Sequence, residues 1–83
     1  MPFKVLIPVN KMRIRQSGTV VQIVGGPGLV RRLEALGIMP GKKLTKISSM
    51  FFHGPVTVKI GQTQIALGFG MSKRIVVEVD LKE

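Results

Sequence analysis

Short runs in which hydrophobic and polar residues alternate make up much of this chain. Valines and isoleucines alternate with polar residues at 56–60, and Ile75, Val77 and Val79 alternate with Val76, Glu78 and Asp80. This period of two predicts strands with one buried face. Three further runs predict strands at 19–24, 42–49 and 65–67. The first of these is rich in β-branched residues, as is typical of a strand buried on both faces.

One segment has a helical pattern instead. Leu29, Leu33 and Leu36 recur at intervals of four and three residues, which predicts one apolar stripe of an α-helix over residues 28–36. Gly37 stands where a left-handed C-terminal cap is expected. A helix of this length is not stable alone, so we expect its three leucines to pack against the sheet.

Five strands separated by Gly and Pro predict a small all-β barrel, because closure is how such a sheet removes its edges. The chain has 83 residues, so we expect residues 1–83 to form a single domain with the one short helix inserted. The apolar run at residues 1–9 is too short for a membrane span, and it lacks the cleavage site of a signal peptide.

The net charge and the cysteine content limit the classes of partner and of functional site that the chain can have. Thirteen Lys and Arg against four Asp and Glu give a net charge of +9, nearly all of it within residues 1–46. Such a charge favours anionic partners: nucleic acid, an anionic membrane surface or an acidic patch on a protein. The absence of cysteine excludes disulfides, a cysteine nucleophile, zinc fingers and iron–sulfur clusters.

The order of several short motifs resembles the ferrous iron transport protein A (FeoA) family. An arginine-bearing helix is followed by a Leu-Gly-hydrophobic-x-Pro-Gly turn, then by a Gly-Pro before a strand, a Gly-x-x-x-Ile-Ala-Leu hairpin and a closing hydrophobic strand. These motifs stand at residues 31–41, 54–56, 61–67 and 75–79. The similarity extends from about Gly18 to Asp80. No single motif is specific to the family. Their combination in this order and spacing is much harder to obtain by chance.

The resemblance implies an SH3-like barrel in the cytosol that works with a large membrane transporter of ferrous iron, whose cytosolic part is a G-protein domain. It also implies contact with protein rather than catalysis. The sequence departs from the family at Arg15, where a glycine is usual, and in the turn at 70–74, which carries Lys73 and Arg74.

The residues themselves also indicate a protein that is not an enzyme. The chain has one histidine, His53, and four acids. Glu78 and Asp80 share one face of the last strand, which we interpret as a solvated edge rather than a paired-carboxylate site. His53 lies in a loop with no acid near it, so we expect no bound metal, since ferrous iron needs a cluster of ligands. We expect no cofactor either.

The glycine-rich segment at 25–28 precedes the helix, where backbone amides can bind a phosphate group. It lacks the Gly-Lys-Ser/Thr ending of a phosphate-binding loop. We therefore interpret it as a turn from strand to helix.

Candidate partner-binding residues lie on the helix and in the turns. Arg31 and Arg32 fall outside the leucine stripe, and three interpretations are open: a solvated face, a docking face for an acidic partner, or an arginine finger lent to a G domain. Lys42 and Lys43, which follow the turn after the helix, are further basic candidates. Phe52 is the aromatic candidate. It is one of two adjacent phenylalanines in an extended segment, and only one of the two can face the core.

The leading hypothesis is a non-enzymatic accessory protein of ferrous iron uptake that docks on the cytosolic domain of the transporter as a monomer or weak homo-oligomer, without entering the membrane. The alternative is a small basic barrel that binds nucleic acid. The charge favours that alternative, whereas the lack of Tyr, of Trp and of an aromatic stripe disfavours it.

Overall fold

The computed structural model describes residues 3–50 and 53–81, which form one antiparallel sheet of six strands, two short helices and a 3₁₀ helix. In chain order the elements are β1 (Phe3–Pro8), the 3₁₀ helix (Val9–Lys11), β2 (Ser17–Ile23), α1 (Pro27–Ala35), β3 (Lys43–Ser49), β4 (Val56–Ile60), β5 (Thr63–Leu67), α2 (Phe69–Ser72) and β6 (Ile75–Leu81). The strands lie in the order β1-β6-β2-β3-β4-β5. The first and last strands of the described chain are therefore neighbours.

One hydrophobic core serves every strand. Its fully buried members include Leu33 of α1, Leu44 of β3 and Val77 of β6. Strands from both ends of the sheet order reach the same cluster, with Val5 from β1 and Leu67 from β5. The sheet must therefore curve around a single core. The expected small all-β barrel with a short helix after β2 is confirmed.

The strand count is six rather than about five, because β1 was not predicted. Val5 and Ile7 of β1 point towards the core, and the strand pairs with β6 from Phe3↔Leu81 to Pro8↔Val76. The apolar run at residues 1–9 was considered only as a membrane span or signal peptide, not as a strand. Pro8 is tolerated because it ends a strand at the edge of the sheet.

Helix α1 begins and ends with the expected devices. Pro27 stands in its first turn, and Gly37 has a φ of +89°, which a glycine adopts without strain. The amide of Gly37 donates to the carbonyl of Glu34, and the amide of Ile38 donates to that of Leu33, both at 2.9 Å. This pair of hydrogen bonds is a Schellman motif, so the predicted C-terminal cap is confirmed.

The predicted leucine stripe is wrong at its third member. Leu33 is fully buried and Leu29 partly so, but Leu36 is 41% exposed. Leu36 is the C-cap of the helix, and the chain leaves the helical path there. Ile38 is fully buried just beyond the cap, so it supplies the third apolar contact in place of Leu36.

The prediction that 19–24 would be buried on both faces is also wrong. In β2 only Gly18 and Val20 are buried, whereas Val21 is 37% exposed and Val24, just beyond the strand, is 48% exposed. The β-branched residues there reflect the preference of a pleated strand for such side chains more than burial.

Candidate docking surface

Arg31 and Arg32 lie on α1, and both are exposed. The helix that carries them is held at Leu33, which is fully buried, and at its capped C-terminus. Because the leucines take the inner face, the two guanidinium groups are left on the outer one. Within residues 3–50 and 53–81, neither arginine forms an ion pair. Both charges are free to attract an acidic partner.

Lys42 and Lys43 follow the turn that leads into β3, and both are exposed. The backbone around them is firmly placed. The amide of Gly41 donates to the carbonyl of Val20, and the amide of Val20 donates to the carbonyl of Lys42, both at 2.8 Å. Lys43 lies opposite Thr19 of β2. These two lysines are therefore presented by ordered backbone, and neither is ion-paired in the described part of the chain.

Phe52 lies outside the described residues, as does Phe51. The remaining four candidates form two pairs, one on α1 and one where β3 begins. Six residues separate the end of α1 from Lys42. We use the name helix–turn surface for Arg31, Arg32, Lys42 and Lys43.

Glu78 and Asp80 do not lie on a sheet edge, so that interpretation is wrong. β6 is hydrogen-bonded on both sides, to β1 and to β2. Asp80 accepts a hydrogen bond from Lys4 of β1 at 2.8 Å, and this bond raises the pKa of Lys4. Both groups are well exposed, so the pair contributes little to stability. The two carboxylates therefore belong to a central strand that is paired on both sides.

His53 is exposed, and it packs against an aromatic ring. Its imidazole stacks on Phe69 of α2, with ring centroids 4.3 Å apart and an interplanar angle of 25°. Its φ is +64°, in the left-handed region. The ammonium of Lys73 lies 5.8 Å from the centroid of the same phenylalanine. In the described ranges, no group of three or more His, Asp or Glu is placed to hold a metal ion.

One buried cation was not predicted from the sequence: Lys46 of β3 is only 4% exposed. Its ammonium group donates to the backbone carbonyl of Met12 at 2.7 Å and to that of Asn10 at 3.2 Å. Burial lowers the pKa of Lys46 below its usual 10.5. The signal was its parity: Lys46 stands two residues after the buried Leu44, on the same face of the strand.

A six-stranded antiparallel barrel with a short helix after its second strand is a small SH3-like domain. A family model for the FeoA domain matches residues 7–79. The chain is 37% identical over 59 residues to a protein assigned as Fe(2+) transport protein A in Methanocaldococcus jannaschii. The aligned region covers 71% of this chain and 70% of the relative.

Two solved structures have the same fold. An iron uptake regulatory protein (FeoA) superposes with a TM-score of 0.83 at 28% identity, covering 93% of this chain and all of the other. The zinc complex of FeoA from Stenotrophomonas maltophilia, an SH3 domain protein, gives 0.73 at 24% identity and covers 86% and 88% of the two chains.

The chain belongs to the FeoA family, which is linked to ferrous iron transport. Within the described residues, no helix is long and apolar enough to cross a membrane.

Proposed function

We propose that this protein is a cytosolic, non-enzymatic accessory factor of ferrous iron uptake that docks on the cytosolic G-protein domain of the iron transporter. Membership of the FeoA family gives the process. The observation that carries the docking hypothesis is the helix–turn surface, whose four exposed cations lie on ordered backbone without ion-pair partners in the described chain. Phe52 is proposed as an apolar contact with the same partner.

Docking alone does not regulate a G domain. The protein must bind one nucleotide state of the domain more tightly than the other, because a ligand shifts an equilibrium only by its differential affinity. We therefore propose that the affinity differs between the GDP-bound and GTP-bound forms. We favour a docking role for Arg31 and Arg32 over an arginine finger, since both lie on a helix packed against the barrel.

The test is calorimetric titration of the isolated cytosolic domain with this protein, in GDP and in a GTP analogue, at about 0.05 M and about 0.3 M salt. The double variant R31E/R32E is compared with K59E/K73E, which reverses two exposed charges on other parts of the fold. We expect R31E/R32E to weaken binding by tenfold or more, as loss of charge-assisted contacts does. The matched variant should change it by less than about threefold.

Equal effects of the two double variants would remove the helix–turn surface as the docking site. Absence of binding to the G domain, together with salt-sensitive binding to random-sequence DNA, would replace the proposal by nucleic-acid binding, in which counterion release gives a steep salt dependence. A loss of transporter GTP hydrolysis in R31A or R32A with docking intact would instead identify an arginine finger.

A further inference from the structure

A tight turn between the 3₁₀ helix and β2 carries two arginines. The amide of Gln16 donates to the carbonyl of Arg13 at 3.0 Å, and the amide of Arg13 donates to the side-chain oxygen Oε1 of Gln16 at 2.8 Å. Arg15 is the third residue of this turn, and its φ is +72°. A positive φ at that position of a turn is normally supplied by glycine.

The surrounding backbone imposes this conformation. The amide of Arg15 donates to the carbonyl of Lys46 at 2.6 Å, and the amide of Lys46 donates to the carbonyl of Gln16 at 3.0 Å. The buried Lys46 ammonium also holds the carbonyl of Met12, just before the turn. Glycine would meet all these backbone demands without strain. A strained non-glycine residue held by its neighbours points to a role for its side chain.

The turn forms most of the wall of a cavity of about 400 Å³. The lining residues are Arg13, Ile14, Arg15, Gln16, Ser17 and Asp80. Ile14 is half exposed, so the cavity presents an apolar side chain between its two arginines. In the part of the chain that the structure describes, neither guanidinium group has a hydrogen bond or ion pair. The cavity therefore offers two unused cations beside an apolar surface.

We propose that this cavity binds a carboxylate side chain of an acidic peptide segment on a protein partner. A guanidinium group can donate two parallel hydrogen bonds to a carboxylate, so each of the two arginines is suited to bind one. Asp80 on the wall is paired with Lys4 at 2.8 Å, so the two arginines dominate the charge of the cavity. Ile14 gives an apolar contact to a neighbouring peptide side chain. The partner that binds this cavity need not be the iron transporter, and the residues of the cavity lie apart from α1 in the chain.

The test is an ¹⁵N NMR titration of the whole protein with a capped hexapeptide that contains three glutamates. The same peptide with glutamines, inorganic phosphate and an oligothymidylate serve as comparison ligands. We expect saturable shifts concentrated at residues 13–17 for the glutamate peptide, and weaker or no binding for the other three. The R15G variant should weaken binding about tenfold, whereas R31A should change it less than about twofold.

R15G also separates binding from folding. Glycine relieves the positive φ, so the variant should melt at a higher temperature than the parent while binding less. The proposal is overturned if the glutamine peptide binds as well, if R15G binds the glutamate peptide unchanged, or if the oligonucleotide binds these residues more tightly. A lower melting temperature for R15G would overturn it too, because the argument from strain would then fail.

Discussion

At the scale of single residues, Lys46 has the most unusual environment. It points from β3 into the interior and donates to two backbone carbonyls at the end of the 3₁₀ helix. The hydrogen bond to Met12 is buried and the one to Asn10 is partly buried, and Lys46 is the donor in both. The side chain thus joins β3 to the segment that carries Arg13 and Arg15.

Replacing Lys46 with Met should destabilise the protein by about 1–3 kcal/mol, because a similar volume is retained while the buried carbonyls lose their donor. Urea unfolding measures the difference. Lys59→Met on the exposed face of β4 is the control and should change the free energy of unfolding by less than about 0.5 kcal/mol. A K46M variant as stable as the parent would mean that water replaces the ammonium group.

The lowered pKa of Lys46 predicts a pH dependence with a definite sign. Between its lowered folded pKa and the usual 10.5, the unfolded chain binds more protons than the folded one. The free energy of unfolding contributed by this group therefore rises as pH rises through that window. The gap in stability between the parent and K46M should widen as the pH rises from neutral towards 10.5. Lys4, whose pKa is raised by Asp80, is present in both proteins and cancels. A gap that narrows with pH would contradict the assignment.

Gly18 lies where β2 packs too closely against β6 to leave room for a side chain. A Cβ atom there would lie 2.8 Å from Cγ1 of Val79 and 3.0 Å from the backbone oxygen of Glu78. Gly18→Ala should therefore destabilise by about 1–3 kcal/mol, as overpacking does. Gly28→Ala is the matched control, because no atom lies within 4 Å of its added Cβ and the position is helical. It should stabilise by about 0.5–1 kcal/mol. Thermal melts of the two variants should shift in opposite directions.

At the scale of elements, α1 packs against the core of the barrel through one face only. Leu33 is fully buried, and its carbonyl accepts the capping hydrogen bond from Ile38. Leu36 lies at the cap and is largely exposed. The two leucines are three residues apart and have the same chemistry, so they make a natural comparison.

Leu33→Ala should cost about 2–5 kcal/mol, through lost burial and the cavity left behind. Leu36→Ala should cost less than about 1 kcal/mol, since its side chain is already partly in water. Denaturant unfolding of both variants distinguishes the observed packing from the leucine stripe expected from the sequence. Equal losses would support that stripe instead.

The elements that sequence reasoning found are those whose signals are local. The cap at Gly37, the exposed Arg31 and Arg32, and the hairpin before β5 all depend on residues close together in the chain. β1 was missed because its partner, β6, lies more than sixty residues away. Sequence distance is the physical reason, since a strand shows its role only when its partner is known.

The same limit applies to the sites. The placement of Lys46 depends on pairing with the segment before β2, and the cavity beside Arg15 exists only once that turn is hydrogen-bonded to β3. The resemblance did single out Arg15 as a departure from the usual glycine. Its positive φ now shows what that position demands of the backbone.

At the scale of the whole molecule, charge opposes folding. The net charge is +9, and the described part of the chain holds one ion pair, Lys4 with Asp80. Self-repulsion destabilises a compact state with such an excess, and salt screens it, with a Debye length of about 30 Å at 0.01 M and about 10 Å at 0.1 M.

Adding sodium chloride from ~0.01 M to ~0.3 M should therefore raise the melting temperature by several degrees, at about 4–8 °C per kcal/mol for a domain of this size. The charge-lowered variant R31E/K59E removes four units of the positive excess, and its melting temperature should depend less on salt. A melting temperature that falls with salt would show that attractive rather than repulsive charge contacts dominate.

The pairing of β1 with β6 also has a consequence for synthesis on the ribosome. β1 emerges before β6, the strand that pairs with it, which follows more than sixty residues later. At about 5–20 residues per second, β1 waits several seconds without a partner. Lys4 and Pro8 stand on this strand, and a lysine and a proline are what discourage a bare strand from pairing with a neighbouring nascent chain.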